Sequence, residues 1–495
     1  MKKKMMVNIL TGFLGQLLVI ILGIIIPKIM IGTYGSDLNG LVSTVAQIYT
    51  YLSLLEAGIG QATRNALYKP IAEHNEEKIN FILQSAKGYF KKITFYYAIG
   101  VIGISVIAPL AIKTNVDRLT VFLIVIIEGL SGVISFYYIE TPVTMLNADG
   151  KGYVNNVLNL SNKVLAYAIK IILAFGGINI LFVEFSYFII NILKVLFYKL
   201  YFKKKYPWIV LKTNNSYGIL RDRNAYVLTE IAWTIFSSTD MIVISTFLST
   251  KLASVYSIYN MIFSNLSILL NAVANSISYI LGQSFHKSIK EYEKVHDTFT
   301  SLYLGSITII MSVCYILTIP FIELYTKGIS DVNYIYNELP VMFCLVQLLS
   351  WSRNVSGNLT GIAGYAKPTS YISIIEAILN IILSIILIGK MGIVGVLLAT
   401  VIALPLKVIW CIYISDKKVL KRSYKKSIMI LGSNYLFFAF VIWCKHYVNF
   451  KISSLCEFLI YGTGLTFIIG VGVILINIIV NRELIMVVKK YIFKR

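Results

Sequence analysis

The sequence predicts an all-α polytopic membrane protein of about fourteen transmembrane helices, in two six-helix lobes plus a C-terminal helix pair. Three observations predict it. Of 495 residues, 57% are hydrophobic and only 14% charged, where soluble chains carry roughly a quarter charged. Apolar stretches of about twenty residues, enough to cross a bilayer as helices, follow one another from end to end. The net charge of +22 is spread over alternate loops rather than massed in one module, which argues for membrane topology and against nucleic acid as a partner.

Taken in order, the spans fall near 7–31, 38–61, 89–112, 119–141, 153–175, 178–200, 226–248, 252–280, 298–324, 334–362, 368–389, 392–415, 427–445 and 456–480. The first begins after Met1-Lys2-Lys3-Lys4, like a signal peptide. No small-x-small cleavage site follows, so it is read as an uncleaved span. With the N-terminus cytoplasmic, and with Lys91, Lys92, Lys199 and Lys445 at span ends counted with the adjoining loops, 32 of the 45 Lys and Arg lie in inside loops and tails, 7 in outside loops and 6 within spans. The positive-inside rule then puts both termini in the cytoplasm.

Shifting the chain by about 213–216 residues aligns Thr33-Tyr34-x-Ser36 with Thr246-Phe247-x-Ser249, Lys151 with Lys367, and Gly176-x-Ile178 with Gly392-x-Val394. The long basic loops 62–88 and 282–297 superpose as well. The expected division is an N-terminal lobe 1–202, a cytoplasmic basic linker 203–224, a C-terminal lobe 225–416, and an added helix pair with basic tail 417–495. Repeated halves around a midplane site are a common construction of secondary transporters.

Nothing points to a metal or a cofactor. Five cysteines lie inside or at the ends of apolar segments without a CxxC spacing, and all four histidines (His74, His286, His296, His446) fall in expected loops. No GxxxxGK[ST] signals a nucleotide site.

Polar residues inside spans mark the interior, because lipid cannot solvate them. The eighth span carries Asn260, Ser264, Ser267, Asn271, Asn275 and Ser278 at spacings of three and four, which is one helix face. The tenth carries Gln347, Ser350, Asn354, Asn358 and Gly361 with Arg353 beside them. Asn156, Asn159, Lys163 and Lys170 stripe the fifth, and Ser43, Gln47, Thr50, Ser53, Gly60 and Arg64 the second. Such rows line a cavity, although isolated Ser and Asn also join helices by hydrogen bonds. Of the six basic residues within spans, Lys194 and Lys407 lie near helix ends and can snorkel. Lys28, Lys163, Lys170 and Arg353 lie deeper, where a cation-lined cavity would hold phosphate or pyrophosphate. Embedded acids are Glu56, Glu128, Glu140, Glu230, Asp240 and Glu376. Pairing with lysine is their default role; Glu56, Asp240 and Glu376 are the candidates for carrying a coupling ion.

Pro27-Lys28-Ile29-Met30-Ile31-Gly32-Thr33-Tyr34-Gly35-Ser36-Asp37-Leu38-Asn39-Gly40-Leu41 resembles the junction of the first two helices in polysaccharide flippases. Leu55-Glu56-Ala57-Gly58-Ile59-Gly60 looks like their acidic-x-Gly-x-Gly stretch, followed by Arg64 and the amphipathic Leu67-Tyr68-Lys69-Pro70-Ile71-Ala72. The chain thus resembles the Wzx-type repeat-unit flippases of the multidrug/oligosaccharidyl-lipid/polysaccharide (MOP) exporter superfamily. The resemblance covers 27–72 in letters, and beyond it only span number and layout. It implies a MATE-like V of two six-helix lobes in a bacterial cytoplasmic membrane, and flipping of an undecaprenyl-diphosphate-linked oligosaccharide by alternating access. By the same resemblance, Lys28 and Arg64 take positions that are basic or charged at the cavity in relatives, and Glu56 takes their acidic position. Ile26-Pro27-Lys28 stands where flippases of peptidoglycan precursors carry an Arg-Asp pair, which lowers that precursor as substrate.

Pathway logic adds a polysaccharide polymerase and a chain-length regulator as partners, besides the lipid-linked substrate and the membrane lipids. Two alternatives remain. A cation-coupled multidrug antiporter of the same superfamily would need an acidic or aromatic cavity, against which the deep lysines stand. A membrane polymerase or glycosyltransferase would need a positioned acid or base in a sizeable loop; the longest outside loop has about ten residues, so no enzyme is expected.

Overall fold

In a computed structural model the described residues are 2–56, 59–210, 234–235, 238–285, 288–448 and 452–484. Side chains before residue 18, Gly15 apart, and at 61, 272, 275–280, 283 and 291 are not described. The described chain is helical throughout, with turns between helices and no strand. Ten runs among the described residues are long and apolar enough to cross a membrane, and the chain is a multi-pass membrane protein.

Helices α1 (Lys2–Leu52), α2 (Ile59–Ala72), α3 (Glu76–Ala111), α4 (Arg118–Ile134), α5 (Glu140–Ala148), α6 (Gly152–Phe175), α7 (Ile180–Lys205) and α8 (238–247) lead to the long α9 (Thr250–Phe285). Then come α10 (Ile289–Tyr325), α11 (Leu339–Ser352), α12 (Asn354–Ile362), α13 (Ala366–Ala403), α14 (Pro405–Tyr413), α15 (Lys425–Lys445) and α16 (Leu455–Val480). Two expected spans share α1, separated by a break at Gly35 (φ 83°, ψ 169°), a region essentially reserved for glycine. A second such break at Gly392 (φ 56°) divides α13. The tenth expected span falls on α11 and α12, interrupted at Arg353, and the seventh is described only in part.

The chain divides into two compact units, Met1–Ser257 and Ile258–Arg495. Lys203, Lys204 and Lys205 of the expected linker continue α7, and 211–224 lies outside the described residues.

In the first unit Leu41, Val45, Tyr49, Tyr97, Val125 and Phe136 form a core where α1, α3 and α4 meet. Tyr49 Oη donates to the Val125 carbonyl (2.6 Å), and Tyr97 meets Phe136 edge to face at 4.8 Å. The second half of α1 lies hard against the start of α9. A methyl group on Gly40 would sit 1.8 Å from the Thr250 carbonyl oxygen, and Asn39 Nδ2 donates to Ser254 Oγ (2.8 Å). In the second unit Tyr259, Phe263 and Phe343 stack in a row. The last two helices pack on α10 through Ile316, Leu317, Val441, Ile469 and Val473. Asn434 and Asn477 exchange amide hydrogen bonds at 3.1 Å between them.

One expectation is corrected. His296 is no loop residue: α10 begins at Ile289, nine residues before the expected span, because its first turns are amphipathic and fall below any apolar window. His296 is buried, within 3.3 Å of Ser356 Oγ, Ser415 Oγ and Asp297 Oδ1. Beside it Arg422 binds Asp297 with two nitrogens (2.6 and 2.8 Å), Asp416 (2.8 Å) and Glu293 (3.1 Å). His74 does occupy a turn, His446 follows the end of α15, and His286 lies outside the described residues.

Candidate functional site

The polar stripes keep the faces their spacing gives them. On α9, Tyr259, Phe263, Leu270 and Ala274 are buried, while Asn260, Ser264, Ser267 and Asn271 are half-buried or exposed. The side chain of Asn275 lies outside the described residues. Ser267 Oγ donates to Gln347 Oε1 (2.8 Å), which also accepts from Trp351 Nε1 (2.9 Å), so the α9 and α11 stripes join in one polar face. Asn354 follows it half-buried, and Asn358 Oδ1 has no partner among the described residues. On α1, Leu41, Val45 and Tyr49 are buried while Ser43, Gln47 and Thr50 are not.

The deep cations separate into kinds. Lys170 is held by both oxygens of Glu184 (2.8 and 2.9 Å), and each side chain is nearly buried, so this charge serves first as an ion pair between α6 and α7. Arg353 Nη1 meets Glu376 Oε1 at 2.5 Å, again buried. Lys28 and Lys163 are exposed and Arg64 half-buried; Lys28, Arg64, Glu56 and Asp240 all have interactions of their own. Asp240, on α8, accepts from Tyr256 Oη at 3.2 Å.

Acids and bases also lie near one another in the first unit. A methyl group on Gly60 would lie 3.4 Å from Arg64 Nη1 and 3.6 Å from Glu56 Oε1, so both side chains flank one helix position. Glu140 sits against Glu56 by a side-chain hydrogen bond, and its carboxyl feels the charges of Lys194 and Arg64. Lys194 in turn feels those of Glu140 and Lys163. In the second unit Lys407 interacts electrostatically with both members of the Arg353–Glu376 pair. Lys194 and Lys407 are both half-buried.

These two clusters correspond. Adding 213 to Glu140, Lys163 and Lys194 gives Arg353, Glu376 and Lys407, the same three positions of the internal repeat. Each unit thus carries two bases and one acid at matched places, with acid and base exchanged between the first two positions. Sequence reasoning missed Glu140, Lys194 and Lys407 as site residues. Applying the repeat shift to charged residues, rather than to the loop motifs alone, would have found all three.

No protein-family model matches the chain, and no curated protein matches it either. Solved structures do. "Lipid II flippase MurJ, inward closed conformation" matches with TM-score 0.67 and 17% identity over 97% of this chain and 100% of that one. "Inward-facing conformation of a multidrug resistance MATE family transporter of the MOP superfamily" matches with TM-score 0.64 and 13% identity, covering 85% and 96%. The MATE multidrug transporter DinF-BH gives 0.61 and 15%, covering 84% and 95%. The chain therefore has the helical transporter fold that this flippase and these MATE transporters share.

Proposed function

We propose that the protein is a flippase carrying an undecaprenyl-diphosphate-linked oligosaccharide from the cytoplasmic to the outer leaflet of a bacterial cytoplasmic membrane by alternating access, with both termini cytoplasmic. The observation that carries this reading is the matched pair of charged triads. An isolated charge at the centre of a span costs about 2.5–3.5 kcal/mol on insertion scales. Two such clusters at repeat-related positions are explained by an anionic cargo, and a diphosphate rewards Lys and Arg together. Arg64, Lys163 and Lys28 are the candidates for the diphosphate in the first unit and Arg353 is the candidate in the second, while Lys170 remains with Glu184. Asn260, Asn271, Asn275, Gln347 and Asn354 take the sugars, and the polyprenyl tail stays in lipid.

For coupling, the contact between Glu56 and Glu140 is the best placed, since two carboxyls can share a hydrogen bond only with a proton between them. Glu376 and Asp240 remain further candidates. The likeness to MATE transporters supports a second reading, an ion-coupled multidrug antiporter. A polymerase and a chain-length regulator are the partners the first reading expects.

Proteoliposomes separate the readings. Flipping of a labelled undecaprenyl-diphosphate oligosaccharide, of lipid II and uptake of an organic cation are measured under imposed H+ or Na+ gradients, with Lys163→Gln and Arg64→Gln as variants. Flipping of the oligosaccharide lipid, lowered in both variants, supports the proposal. Organic-cation uptake with no lipid flipping under any gradient replaces it with the antiporter, and preference for lipid II replaces the substrate.

A further inference from the structure

A cavity of about 930 Å³ opens in the first unit, walled by α3, the α4–α5 junction and α7. Its volume is within the range of about 300–1,000 Å³ typical of ligand pockets. The α7 wall is graded along its axis. Ile192, Val195 and Leu196 line one end, Lys199 and Lys203 the other, all on one helix face at spacings of three and four. From 192 to 203 the helix rises roughly 17 Å. Lys87 of α3 adds a third ammonium group, and Tyr137, Tyr138 and Tyr206 are among the lining residues. Thr141 lines the wall too; its buried hydroxyl has no hydrogen-bond partner among the described residues.

We propose that this cavity is a binding site for an anionic diacyl phospholipid, drawn from the leaflet on the side where α7 ends in Lys203-Lys204-Lys205. An amphiphile has the same polarity gradient as the wall: acyl chains against Ile192, Val195 and Leu196, phosphate among Lys87, Lys199 and Lys203, the glycerol region beside the tyrosines. A soluble anion would use only the basic end and leave the apolar half unexplained. A purely apolar ligand would use only the other end and leave the basic part of the wall unexplained. None of these residues belongs to the triads, so lipid occupancy is independent of the substrate reading.

The test uses the full-length protein in zwitterionic detergent, titrated with phosphatidylglycerol or phosphatidylcholine, with retained lipid counted by native mass spectrometry. Lys199 and Lys203 are exposed, so Lys199→Gln/Lys203→Gln leaves the fold intact, which an unchanged thermal midpoint verifies. Each lysine near a phosphate contributes roughly fivefold in affinity. The double variant should lose phosphatidylglycerol retention about 25-fold, with phosphatidylcholine unaffected, and Leu196→Trp should lower retention by filling the apolar end. Equal retention of phosphatidylglycerol by wild type and double variant would overturn the proposal, as would equal binding of the two lipids. Retention of inorganic phosphate that competes with phosphatidylglycerol and survives Leu196→Trp would reassign the site to a soluble anion.

Discussion

Replacing Glu376 by Gln tests whether the second triad is an assembled charge cluster. The Arg353 side chain would keep its charge while losing the carboxylate 2.5 Å away, in surroundings where Arg353 is only 8% exposed. Breaking one side of a buried pair costs about 3–5 kcal/mol, whereas replacing both partners by apolar groups is often neutral or stabilising. Lys407 interacts with both members, and losing the acid would leave two cations facing each other. The upper end of the range, about 5 kcal/mol, is therefore expected for Glu376→Gln. Arg353→Met/Glu376→Leu should recover most of that loss. The assay is thermal unfolding of the two single variants and the double variant in one detergent, closed as a double-mutant cycle. Transport is then measured on the stable double variant. Recovered stability with lost flipping makes Arg353 a substrate group as well as a structural one. Additive effects, with no rescue in the double variant, would refute the pairing and with it the triad.

Gly40→Ala should prevent folding outright, because the new methyl group would meet the Thr250 carbonyl oxygen at 1.8 Å and Ser254 N at 2.9 Å, backbone atoms that cannot turn aside; monodispersity in size-exclusion chromatography reports it. Arg422→Lys should be nearly as damaging as Arg422→Ala, since one ammonium cannot reproduce the forked contacts to Asp297, Asp416 and Glu293; the readout is the thermal midpoint of each. Asn434→Leu/Asn477→Leu removes two reciprocal amide bonds between α15 and α16. Membrane hydrogen bonds average about 0.6 kcal/mol each, so a loss near 1 kcal/mol with flipping retained is expected by equilibrium unfolding.

The spans were legible because hydropathy is a local property: a helix in lipid satisfies its backbone within itself, and its side chains report the solvent. Helix ends in water were not. The extension of α10 back to Ile289, which buries His296, and of α9 on to Phe285 is amphipathic and carries no apolar window. Stripe faces were legible from period alone, as Asn260, Ser264 and Ser267 show. Partners were not, because Lys170 finds Glu184 fourteen residues away and Arg353 finds Glu376 twenty-three away through helix packing, which no spacing rule encodes. Nothing local at Gly40 distinguishes a glycine against a neighbouring backbone from a glycine in open space.

The exchange of acid and base between the triads follows from what burial demands. Two cations sharing a membrane interior need an acid between them, and this constrains the composition of a triad more tightly than the position of each member. Glu140–Lys163–Lys194 and Arg353–Glu376–Lys407 have the same composition and differ in which helix supplies the acid. If composition is the constraint, Arg353→Glu/Glu376→Lys, which writes the first unit's order into the second, should be tolerated far better than Arg353→Glu alone, which leaves two acids facing Lys407. Each single variant should unfold several degrees below the double one, and the double one should retain lipid flipping if the cargo responds to the charge of the cluster. A double variant as unstable as the worse single one would show instead that Arg353 is held by the geometry of its single contact with Glu376, and that the correspondence of the triads is one of position without shared electrostatics.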